Sequence, residues 1–221
     1  MNLLPGGQEA GAAGFVLAGG QSSRMGRDKA LVSFAGLPLV ERALSVLRQA
    51  GVPVAVVGAR PFLAATAPFV ADDEPGLGPL GGICAALASM QAEWAVFLPV
   101  DMPLLPAELV AYLLARARVT GRAVTVPSVG GFAQTFPAVL HRAVFPALQA
   151  RLKSGQGGCY SAFEAAAASL HDAVAVIPSE LLAQSGAATH PDALPPAIWF
   201  LNVNRPADLR RAEACFAGHF A

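Results

Sequence analysis

The run Gly14-Phe15-Val16-Leu17-Ala18-Gly19-Gly20-Gln21-Ser22-Ser23-Arg24-Met25-Gly26-Arg27-Asp28-Lys29 joins a short apolar segment to glycines, serine hydroxyls and three cations. Backbone N–H groups at glycines can approach phosphate oxygens closely, and fixed cations offset the charge that repels an attacking oxygen. Such a composition suits a polyphosphate, with Lys29 as a compact point charge and Arg24 able to grip two oxygens at once. Arg27 reads as a solvated surface cation. Lys29 is followed by Ala30 instead of Ser or Thr, and no G-x-G-x-x-G follows the apolar run, so neither common phosphate fingerprint applies. A Gly/Ser-rich surface turn would share much of this composition, and residues elsewhere must decide.

Asp101 ends the apolar run 94–100, the strand-end position at which open α/β sheets bind their ligands. Magnesium is commonly held by one or two carboxylates together with substrate phosphates and water, so one aspartate there suffices. With Pro103 and Pro106 close behind, a turn or helix-capping role is the plainer alternative. Gly78-Pro79-Leu80-Gly81-Gly82 stands before a helix, where missing side chains would let a purine lie against the backbone. Upstream, Asp72 and Asp73 could accept from the N1 and N2 donors of guanine, a pairing that adenine and cytosine cannot copy. Near the C-terminus Phe200, Asn202 and Asn204 alternate with Leu201 and Val203, which predicts a terminal strand with both amides on one side.

The pattern L-A-G-G-x-S-x-R-M-G-x-D-K, Leu17 through Lys29, resembles the molybdenum cofactor guanylyltransferases of the nucleotidyltransferase superfamily. Gly78-Pro79-Leu80-Gly81-Gly82, Leu98-Pro99-Val100-Asp101-Met102-Pro103 and Phe200-Leu201-Asn202-Val203-Asn204 fit the same family in order, so the resemblance spans residues 14–209. It implies a Rossmann-like fold and transfer of GMP from GTP to the terminal phosphate of molybdopterin or molybdenum-molybdopterin. Pyrophosphate would leave, molybdopterin guanine dinucleotide would form, and Mg2+ would be the cofactor. Carried over by position, it implies Arg24, Lys29 and Asp101 as catalytic residues, with Asp101 the metal ligand. Leu17, Ala18, Gly19, Gly20, Ser23, Lys29, Asp72, Gly78 and Asp101 would surround the nucleotide, and Asn202 and Asn204 would face the pterin or its phosphate. The spacing to Gly78 in the family favours Asp72 over Asp73. Delivery or acceptor proteins of the molybdenum cofactor pathway are implied partners.

Two positions depart from the family. Arg205 stands where a threonine commonly caps the last helix, with Asp208 three residues on, so the capping box is expected to be lost. Phe136-Pro137 replaces a frequent His-Pro pair, which weakens any histidine contact to the acceptor. The nearest rival is a cytidylyltransferase of the same superfamily, acting on molybdopterin or on a sugar or polyol phosphate; its relatives tend to carry alanine where this chain has Gly19. A non-catalytic GTP-binding module is the other, and the joint presence of Lys29 and Asp101 speaks against it.

These residues need a scaffold. Runs 15–18, 52–57, 94–100 and 123–126 read as strands apolar on both faces, alternating with helices at 38–50, 81–91 and 106–117. That rhythm predicts a mostly parallel sheet covered on two sides, a three-layer α/β/α sandwich. From residue 130 the rhythm loosens into a short strand at 138–140, a helix at 143–153, a Gly155-Gln156-Gly157-Gly158 turn and a further helix. Residues 185–197, with Pro191, Pro195 and Pro196, read as a loop whose composition suits a movable flap over the amides. The 221 residues, 54% apolar, point to one domain over 14–221 behind a flexible tail at 1–13. Within it, 14–127 would form the nucleotide-binding half and 128–221 the acceptor-binding half.

Fifteen Lys and Arg balance fifteen Asp and Glu, against a general nucleic-acid or anionic-membrane partner. Cys84, Cys159 and Cys215 are too scattered for a disulfide framework or a zinc site, and the four histidines show no ligand spacing. Residues 1–13 hold no basic residue and no segment apolar enough for a signal peptide or membrane span, so a cytoplasmic location is expected.

Overall fold

The computed structural model describes residues 11–19, 28–72, 78–155 and 158–218. The apolar runs form the middle of the sheet. Strand β1 (Ala12–Leu17), buried at every residue, lies parallel between β4 (Val54–Gly58) and β6 (Trp94–Pro99), as expected for a parallel strand covered on both faces. β5 (Phe69–Ala71) extends the sheet beyond β4. On the other side β9 (Ala138–His141) runs antiparallel to both β6 and β7 (Val124–Val129), and β10 (Ala175–Pro178) closes that edge parallel to β7. β8 (Phe132–Ala133) folds back on β7, and β2 (Ser33–Phe34) pairs with β3 (Leu37–Pro38) in a separate hairpin. The main order is therefore β10-β7-β9-β6-β1-β4-β5.

Helices α1 (Leu39–Gln49) and α3 (Ala107–Thr120) pack together on one face of this sheet. On the other face α2 (Pro79–Ser89) meets α4 (Phe145–Ser154), which meets α5 (Cys159–Ser169). α6 (Ser179–Ser185), α7 (Pro196–Trp199) and α8 (Pro206–Ala217) complete the chain. In α1 the buried residues Leu39, Val40, Ala43, Leu44 and Leu47 fall on one stripe, the 3.6-residue signature of a helix seated on a core. Leu47 packs so closely over β1 that a Cβ on Gly14 would sit 3.2 Å from it and 2.8 Å from Val52 Cγ2. Gly14→Ala is therefore expected to destabilise the fold by about 1–3 kcal/mol through overpacking, read as a lower denaturant midpoint with an unchanged slope.

Four expectations need correction. β1 begins at Ala12, so Ala12 and Ala13 belong to the core and not to the tail; residues 1–10 lie outside the described residues. The segment after α7 is not a strand, and among the described residues no neighbouring strand offers it a backbone ladder. Its alternation survives only as burial, with Val203 inside and Asn202 and Asn204 exposed. The 185–197 stretch starts in α6, ends in α7 and is anchored: Thr189 donates through N and Oγ1 to Glu108 Oε2 of α3 at 2.7 and 2.8 Å. These two bonds hold the Glu108 carboxyl below its ordinary pKa. Ala188 and Leu194 are buried, and Trp199 Nε1 donates to the Leu194 carbonyl at 2.6 Å. Finally, half of the capping box on α8 is kept, since Asp208 Oδ2 accepts from the N–H groups of Asn204 and Arg205 at 2.9 and 2.8 Å. The three cysteines carry thiols, Cys84 buried and the other two partly exposed. Among the described residues no helix is long and apolar enough to cross a membrane.

Candidate nucleotide site

The carboxyl ends of β1, β4 and β6 open into a cavity of about 570 Å3. Leu17, Ala18 and Gly19 enter it from β1, Gly58 and Arg60 from the end of β4, and Asp72 from just past β5. Gly78 and Gly82 come from the start of α2, Asp101 from just past β6, and Lys29 closes the set. The sequence expectations Leu17, Ala18, Gly19, Lys29, Asp72, Gly78 and Asp101 thus share one cavity; Gly20, Ser23, Arg24 and Asp73 lie outside the described residues. A larger cleft, about 760 Å3, opens at the amino ends of the strands beside Gly11, Trp94 and Ala123 and holds none of them. Position at the carboxyl ends of the strands, not size, makes the first cavity the candidate site.

Lys29 begins a short 3-10 turn whose first N–H groups are served by Asp28, which accepts from the Ala30 N–H at 3.0 Å. The turn aims the lysine back across the strand ends. Its Nζ donates to Asp101 Oδ2 at 2.8 Å and to Asn204 Oδ1 at 2.6 Å. The Val203 N–H donates to the Asp101 carbonyl at 2.8 Å, which fixes Asn204 beside the pair. The lysine and aspartate side chains are 17% and 22% exposed, so the pair is largely covered but still reachable from the cavity. Asn204, from the half expected to meet the acceptor, touches the lysine expected to meet the triphosphate, so the division at residue 127 does not separate the contacts. Asn202 takes no part in this cluster.

The glycines differ in what they do. At Gly58 a Cβ would stand 3.1 Å from the Ala18 carbonyl oxygen, so its absence lets the ends of β1 and β4 close together. Gly78 has φ 70° at the cap of α2, a left-handed conformation that glycine adopts without steric cost. Among the described residues a Cβ on Gly19 would meet nothing within 4 Å. Asp72 is held through its N–H to the Gly58 carbonyl at 2.9 Å, and its Oδ2 lies 3.9 Å from where a Gly82 Cβ would be. It therefore faces the first turn of α2. Among the described residues no three His, Cys, Asp or Glu side chains could cage a metal. The hard carboxylate of Asp101 fits Mg2+, which is bound largely by phosphates and water.

Arg60 is the cavity residue that the sequence did not point to. A polar residue just beyond the valine strand, on the neighbour of the phosphate-loop strand, was the available signal.

A mostly parallel sheet with helices on both faces, ending in a glycine-lined cavity with a lysine, an arginine and carboxylates, defines a Rossmann-like α/β nucleotide-handling protein. Residues 14–178 match the model of the MobA-like NTP transferase domain. The chain belongs to that family and is a nucleotidyltransferase. It is 35% identical over 208 residues to the molybdenum cofactor guanylyltransferase of Rhodobacter capsulatus, covering 91% of this chain and 94% of that one. To the enzyme of that name from Xanthomonas euvesicatoria pv. vesicatoria it is 52% identical over 104 residues; there it spans 46% of this chain and about half, 53%, of the relative. The structure of molybdopterin-guanine dinucleotide biosynthesis protein A from Archaeoglobus fulgidus superposes with a TM-score of 0.74 at 24% identity, covering 93% and 99% of the two chains. That likeness shows the fold.

Proposed function

We propose that this nucleotidyltransferase moves GMP from GTP to the terminal phosphate of molybdopterin, or of molybdenum-molybdopterin, releasing pyrophosphate and forming molybdopterin guanine dinucleotide. The observation that carries the reading is Lys29 Nζ held between Asp101 and Asn204 at the mouth of a strand-end cavity. The names of the relatives support the choice of GTP and molybdopterin.

A phosphate monoester has its second pKa near 6, so at neutral pH the attacking oxygen is already largely ionised. The site then needs no general base. Lys29 would leave Asp101 for the triphosphate and neutralise charge as it builds on the phosphates, and Asp101, released, would hold Mg2+. When bound, Mg2+ would add Lewis-acid neutralisation of the phosphate oxygens. Leu17, Ala18 and Gly19 would offer backbone to the nucleotide, while Asn204, already on Lys29, would stand between triphosphate and acceptor. Asn202, exposed beside it, would face the acceptor alone. A cytoplasmic location and handover to acceptor proteins of the cofactor pathway belong to the same reading.

Base choice would rest on Gly19 and Asp72. Among the described residues an alanine methyl at 19 meets no atom within 4 Å, which leaves room for a ligand to be what it crowds. Gly19→Ala and Asp72→Ala are each expected to narrow the GTP over CTP preference by about 1–3 kcal/mol, the scale of a crowded ring or of donors left unpaired. Competition between the two nucleotides, with mass analysis of the pterin product, tests both. Equal use of GTP and CTP by the unaltered protein would overturn the guanine assignment.

A further inference from the structure

We infer that Arg60 is a positioning residue for the phosphate site, acting through Asp28 to hold Lys29 in register with the end of β1. The inference rests on the assignment of Lys29 to the triphosphate. Arg60 Nε lies 2.7 Å from Asp28 Oδ2, and its Nη1 donates to the Ala18 carbonyl at 3.3 Å. The other Asp28 oxygen, Oδ1, accepts from the Ala30 N–H and so closes the turn that carries Lys29. One guanidinium and one carboxylate thus link the residues on either side of segment 20–27, the end of β1 at Ala18 and the lysine turn at 28–31.

Arg60 is itself well held. It follows the close approach of Gly58 to Ala18, Pro61 comes next, and its carbonyl accepts from the N–H of fully buried Leu63 at 3.0 Å. Its guanidinium and the Asp28 carboxylate are only 24% and 17% exposed. A planar fork can meet a carboxylate and a carbonyl in two fixed directions, which an ammonium on a flexible stem does poorly. With Asp28 at 2.7 Å the Arg60 charge is already matched, so its effect on the nucleotide passes through the loop stems. Small misplacement of a phosphate-binding cation is costly, of the order of a hundredfold for about 1 Å.

A double-mutant cycle on the full chain tests this, using whichever triphosphate the unaltered protein consumes, so that an error in the base assignment changes the nucleotide titrated and not the result of the cycle. Arg60→Met and Asp28→Asn are each expected to lower kcat/KM by about tenfold, and the double variant to fall no more than about twofold below the weaker single, because the two act as one unit. Arg60→Lys should recover little. Arg122→Met, which breaks the distant Arg122–Asp172 pair, should leave kcat and KM unchanged. Asp28→Asn keeps an oxygen for the Ala30 N–H, so it carries the test alone if Arg60→Met does not fold. Losses that multiply in the double variant would show that Arg60 meets the ligand directly, and unaltered kinetics in Asp28→Asn would equally overturn the inference.

Discussion

Replacing Asp101 by alanine should lower turnover by about a hundredfold or more, on the order of 3 kcal/mol of transition-state stabilisation, the scale set by removing one preorganised electrostatic group. The fold should survive. The carboxylate is partly exposed, and the bond by which Asp101 holds the following segment uses its backbone carbonyl, which accepts from the Val203 N–H and remains in an alanine variant. What is lost is the oxygen proposed for Mg2+ and the resting partner of Lys29. Asp101→Asn separates the two, since an amide oxygen can still accept from Lys29 Nζ but is a much weaker magnesium ligand. Turnover measured against magnesium concentration, beside a thermal melt of each variant, gives the result. An Asp101→Ala protein with unaltered turnover would remove the metal assignment.

Lys29→Ala should raise the KM for the triphosphate and lower kcat together, by about a hundredfold in kcat/KM, because charge neutralisation acts on both the bound and the reacting phosphates. Its Nζ sits between two oxygens at 2.8 and 2.6 Å, a gap suited to a compact ammonium. Lys29→Arg should therefore rescue little, as a planar guanidinium cannot take both oxygens from the same stem geometry. Steady-state kinetics of the two variants decide it. Full activity in Lys29→Ala would leave the turn that carries Lys29 without a phosphate role.

Much of this site was legible in the chain because its parts are local. A parallel strand buried on both faces needs an unbroken apolar run, and such runs end at Leu17 and Pro99, where the chain enters the cavity. Asp101 could be placed by that rule, and Lys29, well past the end of β1, by the loop's composition and the resemblance beside it. The direction of β9 could not be read, because an apolar run of three residues reads alike whichever way it pairs. The alternation at 200–204 suggested a strand, yet alternation records only which side is buried. Among the described residues the segment pairs with no strand and is held by the Val203 N–H on the Asp101 carbonyl, the Asn204 N–H on Asp208 and the Asn204 amide under Lys29. Arg60 was illegible for a related reason. Its partners, Ala18 and Asp28, are far away in sequence and meet it only because β1 and β4 are neighbours in space. The meeting of Asn204 with Lys29, across most of the chain, is of the same kind.

The most direct test of guanylyl transfer is pyrophosphate release by the purified protein with magnesium and each of the four ribonucleoside triphosphates in turn, with and without molybdopterin. The expected result is release with GTP that requires molybdopterin, and little with ATP, CTP or UTP. Release that favours CTP, or that is indifferent to molybdopterin, would contradict it.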